Sequence, residues 1–167
     1  ITCSCNLSIK PFSDIKLISL DVDCVLTDGK LVWSRNGLEQ LNFNVKDGTA
    51  IKELIRHGYI VCIITSNSSE IIKNRMKSLG IQHVFTGVAD KLDVLNALTN
   101  ELTIDKKNTM HVADDRNDIE ILSNVGFSCC PSDSINLVKR ICDRVLKTAG
   151  GEGVCVELLE MLDIQMS

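Results

Sequence analysis

The chain alternates short, nearly all-apolar runs with stretches of helical spacing, and its clearest apolar runs each end on acid or hydroxyl residues. Ile15 to Leu20 (IKLISL) predicts a buried strand opening onto Asp21-Val22-Asp23. Tyr59 to Thr65 predicts another, followed by Ser66-Asn67, and Met110 to Ala113 a further one opening onto Asp114-Asp115. Strands this continuously apolar are buried on both faces, as in parallel sheets. Helices are expected over Thr49 to His57, stopped by Gly58, and over Ser69 to Leu79, stopped by Gly80. A third spans Asp90 to Leu102, with Asp90 as N-cap and Leu92, Leu95 and Leu98 facing inward. Short strands at His83 to Phe85 and Phe127 to Cys130, and helices near Asn117 to Asn124, Ser134 to Asp143 and Val154 to Leu162, continue the rhythm. KLVWS, RNG and LEQLNFNV together predict a β-hairpin, about Lys30 to Val45, turning at Asn36-Gly37. This order predicts an α/β fold, a parallel sheet with helices on both faces, whose ligands bind beyond the carboxyl ends of the strands.

Composition excludes several classes. With 167 residues, 44% apolar and 24% charged, the chain reads as one ordered domain rather than a disordered tail. No apolar run approaches the roughly 20 residues of a membrane span. The net charge of -4 and scattered Lys and Arg give no basic stripe for nucleic acid. Of eight cysteines none forms a CxxC pair, and only His57, His83 and His111 could complete a zinc site. Cys62, Cys129 and Cys130 lie in apolar runs, where a thiol packs as a small hydrophobe, and a reducing compartment, cytosol or nucleus, is expected. The opening ITCSCNLSIKPF lacks a signal-peptide core, and its start without Met reads as a processed product or a piece of a longer chain. Residues 1–13 are taken as an N-terminal extension and 14–167 as the domain.

If the strands ending at Asp21, Thr65 and Asp114 are neighbours, Asp21, Asp23, Asp114, Asp115 and Asp118 crowd one crevice. Two carboxylates ~4 Å apart repel by roughly 4 kcal/mol at an effective dielectric of about 20. Such a cluster calls for a cation, and an all-oxygen donor set points to Mg²⁺. Each feature alone has an ordinary reading: Asp after a strand is a turn or cap residue, Thr65 a strand-end hydroxyl, Lys91 an exposed helix residue. Together, in this order and at strand exits, they suggest phosphoryl transfer. One carboxylate attacks phosphorus, a second two residues on serves as acid and base, and a hydroxyl and an ammonium hold the phosphoryl oxygens.

DVDCVLTDG, IITSN, DKLDVL and VADDRND resemble, in order, the four motifs of the haloacid dehalogenase superfamily of phosphatases. LTDG, the hairpin, FNVKDG, GV-DK and a late GGxG are similar to the small 3-deoxy-D-manno-octulosonate 8-phosphate (KDO 8-P) phosphatases. The same features resemble the C-terminal domain of acylneuraminate cytidylyltransferases. The resemblance implies a Rossmann-like fold with the hairpin as a small flap in place of a large cap. It implies that Asp21 is the nucleophile and Asp23 the general acid/base. It further implies that Asp21, Asp114 and the Asp23 backbone carbonyl hold Mg²⁺, that Thr65 and Lys91 bind phosphate, and that Asp115 and Asp118 give support. Family hairpins meet in a homotetramer, which would place Leu31, Trp33 and Phe43 in an interface. The alternative is that they pack on their own domain.

Four departures stand out. Cys24 replaces the glycine after DxD, Ser66-Asn67 the usual GR pair, Glu152 the Arg of GGRG, and Val156 a following Arg. The last three remove positive charge from the region expected to meet an anionic sugar acid. The sequence thus predicts a Mg²⁺-dependent, cytoplasmic phosphatase of a small phosphate monoester, its preferred sugar acid open. One alternative is the oligomerisation domain of a nuclear nucleotide-sugar synthetase, with weak or no activity. Another is a nonenzymatic acidic cation-binding module.

Overall fold

In the computed structural model, which describes residues 14–163, the apolar runs form the centre of one parallel sheet. Its strands are β1 (Leu17–Leu20), β4 (Ile60–Ile64), β5 (His83–Phe85), β6 (Thr109–Val112), β7 (Phe127–Cys130) and β8 (Arg144–Val145). They lie in the order β5-β4-β1-β6-β7-β8. Between β1 and β4 the chain forms an antiparallel hairpin, β2 (Thr27–Ser34) and β3 (Gly37–Phe43), and the helix α1 (Val45–Arg56). The remaining helices are α2 (Glu70–Ser78), α3 (Lys91–Glu101), α4 (Ile119–Leu122), α5 (Asn136–Ile141) and α6 (Val154–Met161). The proposed extension, residues 1–13, with Cys3 and Cys5, lies outside the described residues.

Successive strand side chains point to opposite faces, and both faces are covered. Ile18 and Leu20 of β1, Val61 and Ile63 of β4, and Met110 and Val112 of β6 form one core with Ile51 and Leu54 of α1, Ile72 and Met76 of α2, and Leu158 and Leu159 of α6. Leu17, Cys62 and Ile64 point the other way, against Leu95 and Leu98 of α3 and Ile121 of α4. Leu92 is only partly buried beside them. Burying a Leu or Ile contributes about 1.5–3 kcal/mol, so these layers fix the sheet.

Several elements differ from the sequence reading. Helix α1 starts at Val45, four residues before the expected Thr49, because Asn44 caps it by accepting from the Lys46 N–H at 2.9 Å. The hairpin therefore ends at Phe43. Ser34 pairs with Gly37, so Arg35 and Asn36 form the loop, one residue earlier than expected, and Gly37 follows it with a positive φ of 111° that glycine adopts freely. Asn117 to Asn124 divides into a one-turn 3-10 helix at Arg116–Asp118 and the short α4. Strand β8 was not anticipated, since two exposed residues carry no periodicity. Phe43 is half-buried against its own core, with the Arg75 guanidinium 5.9 Å from its ring centre, so it packs on its own domain. Leu31, Val32 and Trp33 are exposed, Trp33 at 69%.

Candidate active site

Strand order reverses at β1, which has β4 on one side and β6 on the other; this is where an open α/β sheet leaves a crevice beyond its strand ends. Asp21 follows β1, Thr65 follows β4, and Asp114 follows β6 after Ala113. The Asp21 N–H extends the β1–β6 ladder by donating to the Val112 carbonyl at 3.0 Å. Lys91 opens α3, and Asp118 ends the 3-10 turn.

Lys91 is almost fully buried and bridges two carboxylates: its Nζ is 2.9 Å from Asp21 Oδ2 and 2.6 Å from Asp118 Oδ1. The other Asp21 oxygen accepts from the Val22 N–H at 2.8 Å. One oxygen from each of Asp21, Asp114 and Asp118 lies within 4.8 Å of the others. Burial, with Asp118 nearby, raises the Asp21 pKa despite Lys91. Burial and then the charges of Asp21, Asp118 and Asp115 push Asp114 up to about 7. Burial would also raise Asp118, but His111 and Lys91 outweigh it and hold that carboxyl below its usual range. Burial opposes charge on Lys91, yet Asp21 and Asp118 more than compensate and raise its pKa. An ammonium shared by two carboxylates leaves surplus negative charge next to Asp114. Asp118 Oδ2 is buried with no hydrogen-bond partner. An all-oxygen set with an orphaned carboxylate oxygen and a carboxyl driven toward protonation fits a hard divalent cation.

The other sequence candidates take distinct places. Thr65 is buried, and its Oγ1 accepts from the Asn67 N–H at 3.3 Å. Asp23 Oδ2 accepts from Asn67 Nδ2 at 3.0 Å. Asp115 is exposed, and its carboxylate accepts from the Arg116 N–H at 2.7 Å; it caps its own turn and is absent from the close carboxylate cluster. Asp118 stands inside that cluster and holds the Lys91 ammonium at 2.6 Å.

Cys24 has φ 59°, a conformation costing an ordinary L-residue about 1–2 kcal/mol; the backbone here suits glycine. Burial, followed by Asp114, pushes its thiol up to about 12. The late glycines lie against the same loop. The Gly151 N–H donates to the Val25 carbonyl at 2.9 Å, and a Cβ on Gly150 would sit 2.0 Å from the Cys24 carbonyl oxygen. Glu152 and Val156 line a separate cavity of about 390 Å³ with Lys46, Arg144 and Lys147, so cations from elsewhere in the chain surround the two positions where arginines were missing.

Sequence reasoning missed the part played by His111. It weighed this residue only as a zinc ligand, but His111 Nδ1 lies 3.0 Å from Ser19 Oγ and Nε2 3.7 Å from Asp118 Oδ1. Its signal was a polar residue inside an apolar strand, opposite another, since Ser19 pairs with His111 in the β1–β6 register.

Comparison with known proteins agrees with this geometry. Residues 83–158 match the family described as haloacid dehalogenase-like hydrolase. The chain is 35% identical over 149 residues to the KDO 8-P phosphatase of Escherichia coli K12, covering 89% of this chain and 79% of that protein. It superposes with a TM-score of 0.87 and 32% identity on the KDO 8-P phosphatase of Moraxella catarrhalis crystallised with magnesium, phosphate and KDO, covering 90% of this chain and 87% of that one. The cobalt-bound phosphatase of Haemophilus influenzae gives a TM-score of 0.87 at 32% identity, covering 90% and 88%.

Proposed function

The chain belongs to the haloacid dehalogenase-like hydrolases, in the group that contains the KDO 8-P phosphatases, and from that premise we propose a Mg²⁺-dependent phosphatase acting on a phosphorylated sugar acid. The observation that carries this reading is the buried Lys91 bridging Asp21 and Asp118 beside Asp114. Asp21 is the nucleophile. Its carboxylate attacks phosphorus, the ester P–O bond breaks, and the alcohol oxygen leaves with a proton from Asp23. Water then attacks the phosphorus of the aspartyl phosphate, gives a proton to Asp23 and releases Asp21 and phosphate.

Lys91 and Thr65 hold phosphoryl oxygens, with Asp118 fixing the ammonium. Asp21, Asp114 and the Asp23 carbonyl would hold Mg²⁺, with Asp118 and Asp115 in support; the ion supplies charge neutralisation of the phosphoryl group. The intact carboxylates favour an enzyme over a scaffold domain. The exposed Leu31, Val32 and Trp33 suit an interface, and we assign the hairpin to a homotetramer. The described cysteines are all free, in keeping with a reducing cytoplasm, and no described helix is long and apolar enough to cross a membrane.

The test is phosphate release from KDO 8-P, other sugar-acid phosphates and an aryl phosphate. Turnover with Mg²⁺, abolished by EDTA and by Asp21→Asn, is expected. A folded protein releasing nothing from the whole panel overturns the reading.

A further inference from the structure

Asn67 stands where a cation was expected, and the structure gives it four hydrogen bonds. Its backbone N–H donates to Thr65 Oγ1 at 3.3 Å, and its carbonyl accepts from the Gly87 N–H at 3.2 Å. Its side-chain Oδ1 accepts from the Ser69 N–H at 3.0 Å. A backbone N–H can only donate, so this contact fixes the orientation of the amide and turns its NH₂ group toward Asp23. Nδ2 lies 3.0 Å from Asp23 Oδ2. The other oxygen, Asp23 Oδ1, is shielded from solvent and has no hydrogen-bond partner. A proton on Oδ2 would face the amide hydrogen, donor against donor. The proton therefore belongs on Oδ1.

We propose that Asn67 is a positioning residue for general acid/base catalysis: its amide holds Asp23 Oδ2 as an acceptor and so makes Oδ1 the atom that carries the proton. This rests on the phosphatase reading. As the ester P–O bond breaks, the bonding pair leaves on the alcohol oxygen, which takes the proton from Oδ1. When water attacks the aspartyl phosphate, its proton returns to Oδ1 and the bond between phosphorus and Asp21 breaks. An Asp23 free to rotate would present the proton in the wrong place. An alkoxide leaving group needs that proton, whereas a nitrophenolate leaves without it.

The test compares kcat/KM on glycerol 2-phosphate and on 4-nitrophenyl phosphate, with Mg²⁺, for wild type, Asn67→Ala and Asn67→Asp. Asn67→Asp keeps an oxygen for the Ser69 N–H, which guards against a collapsed loop, and turns the donor to Asp23 into a charged acceptor, while Asn67→Ala removes the donor without adding charge. Because kcat/KM covers the steps up to loss of the alcohol, the alkyl-to-aryl ratio is expected to fall at least about tenfold in both variants. Slowed water attack should also produce a pre-steady-state burst of nitrophenolate that wild type lacks. An unchanged ratio, whether both substrates slow together or neither does, overturns the proposal. A wild type that hydrolyses neither these two substrates nor any phosphate ester of the panel above overturns the phosphatase reading and the proposal with it.

Discussion

The crevice beyond β1, β4 and β6 and the hairpin of β2 and β3 are built on opposite terms. In the crevice the charged groups Asp21, Lys91 and Asp118 are buried and in contact. Lys91 bridges Asp21 and Asp118, and Asn67 holds Asp23. On strand β2 of the hairpin the large apolar groups, Leu31, Val32 and Trp33, stand in solvent. Buried charges are stable only when their partners are fixed, so the crevice tolerates little change. An exposed apolar strand tip contributes little to its own domain and is free to serve another surface. The difference teaches that the sheet holds the charged groups of the site, while the appendage presents the apolar surface to which we assign assembly.

The sharpest attack on this contrast is Asp21→Asn, which should lower phosphate release at least about a thousandfold with the fold retained. Lys91→Met strikes the same region through its charges. It leaves Asp21 and Asp118 facing each other without a cation, and in EDTA near neutral pH we expect a loss of roughly 3 kcal/mol in denaturant unfolding. In Mg²⁺ its phosphate release should fall about a hundredfold.

Asp47 tests the join between the regions. It sits in α1 just after the hairpin and accepts from the Cys155 N–H of α6 at 2.6 Å. Burial raises its carboxyl from 3.8 to about 6 against several hydrogen bonds that lower it. The folded chain thus holds this proton more tightly than the unfolded chain. Its contribution to stability is full below about pH 4 and is lost as pH rises through about 6, at up to about 1.4 kcal/mol per unit. Asp47→Asn should flatten that slope in denaturation curves taken across this range. Its stability relative to wild type should therefore rise with pH.

The smallest effect on the fold is expected from Trp33→Ser. Unfolding of the isolated domain should change by less than about 0.5 kcal/mol, while sedimentation should show loss of the assembled species. A large loss of domain stability would break the contrast, because the hairpin tip would then belong to the core.

The order of strands and helices was legible in the sequence because apolar period and caps are local properties. Asp90 caps α3 as its position implied, and His83–Phe85 and Phe127–Cys130 are strands to the residue. The candidate site was legible as residue types at strand ends, since a crowd of carboxylates with one lysine is unusual chemistry wherever it lies. Boundaries set by side-chain caps and short edge pairings, Asn44 before α1 and the two-residue β8, were not, because neither leaves a periodic trace.

Partnership was decided only in three dimensions. The FNVKDG and GGxG segments are more than a hundred residues apart, yet Asn44 Nδ2 donates to the Gly151 carbonyl at 3.1 Å and Asp47 takes the Cys155 N–H. Asn67 reads in the sequence as a lost cation, yet its amide lies on Asp23, and only the fold brings an Asp118 oxygen within 4.8 Å of those of Asp21 and Asp114. By itself the sequence determined which elements form and which chemical groups end them. Which group faces which followed from the sheet order, because only packing on both faces brings the ends of β1, β4 and β6 to one crevice and excludes the water that would otherwise screen their charges.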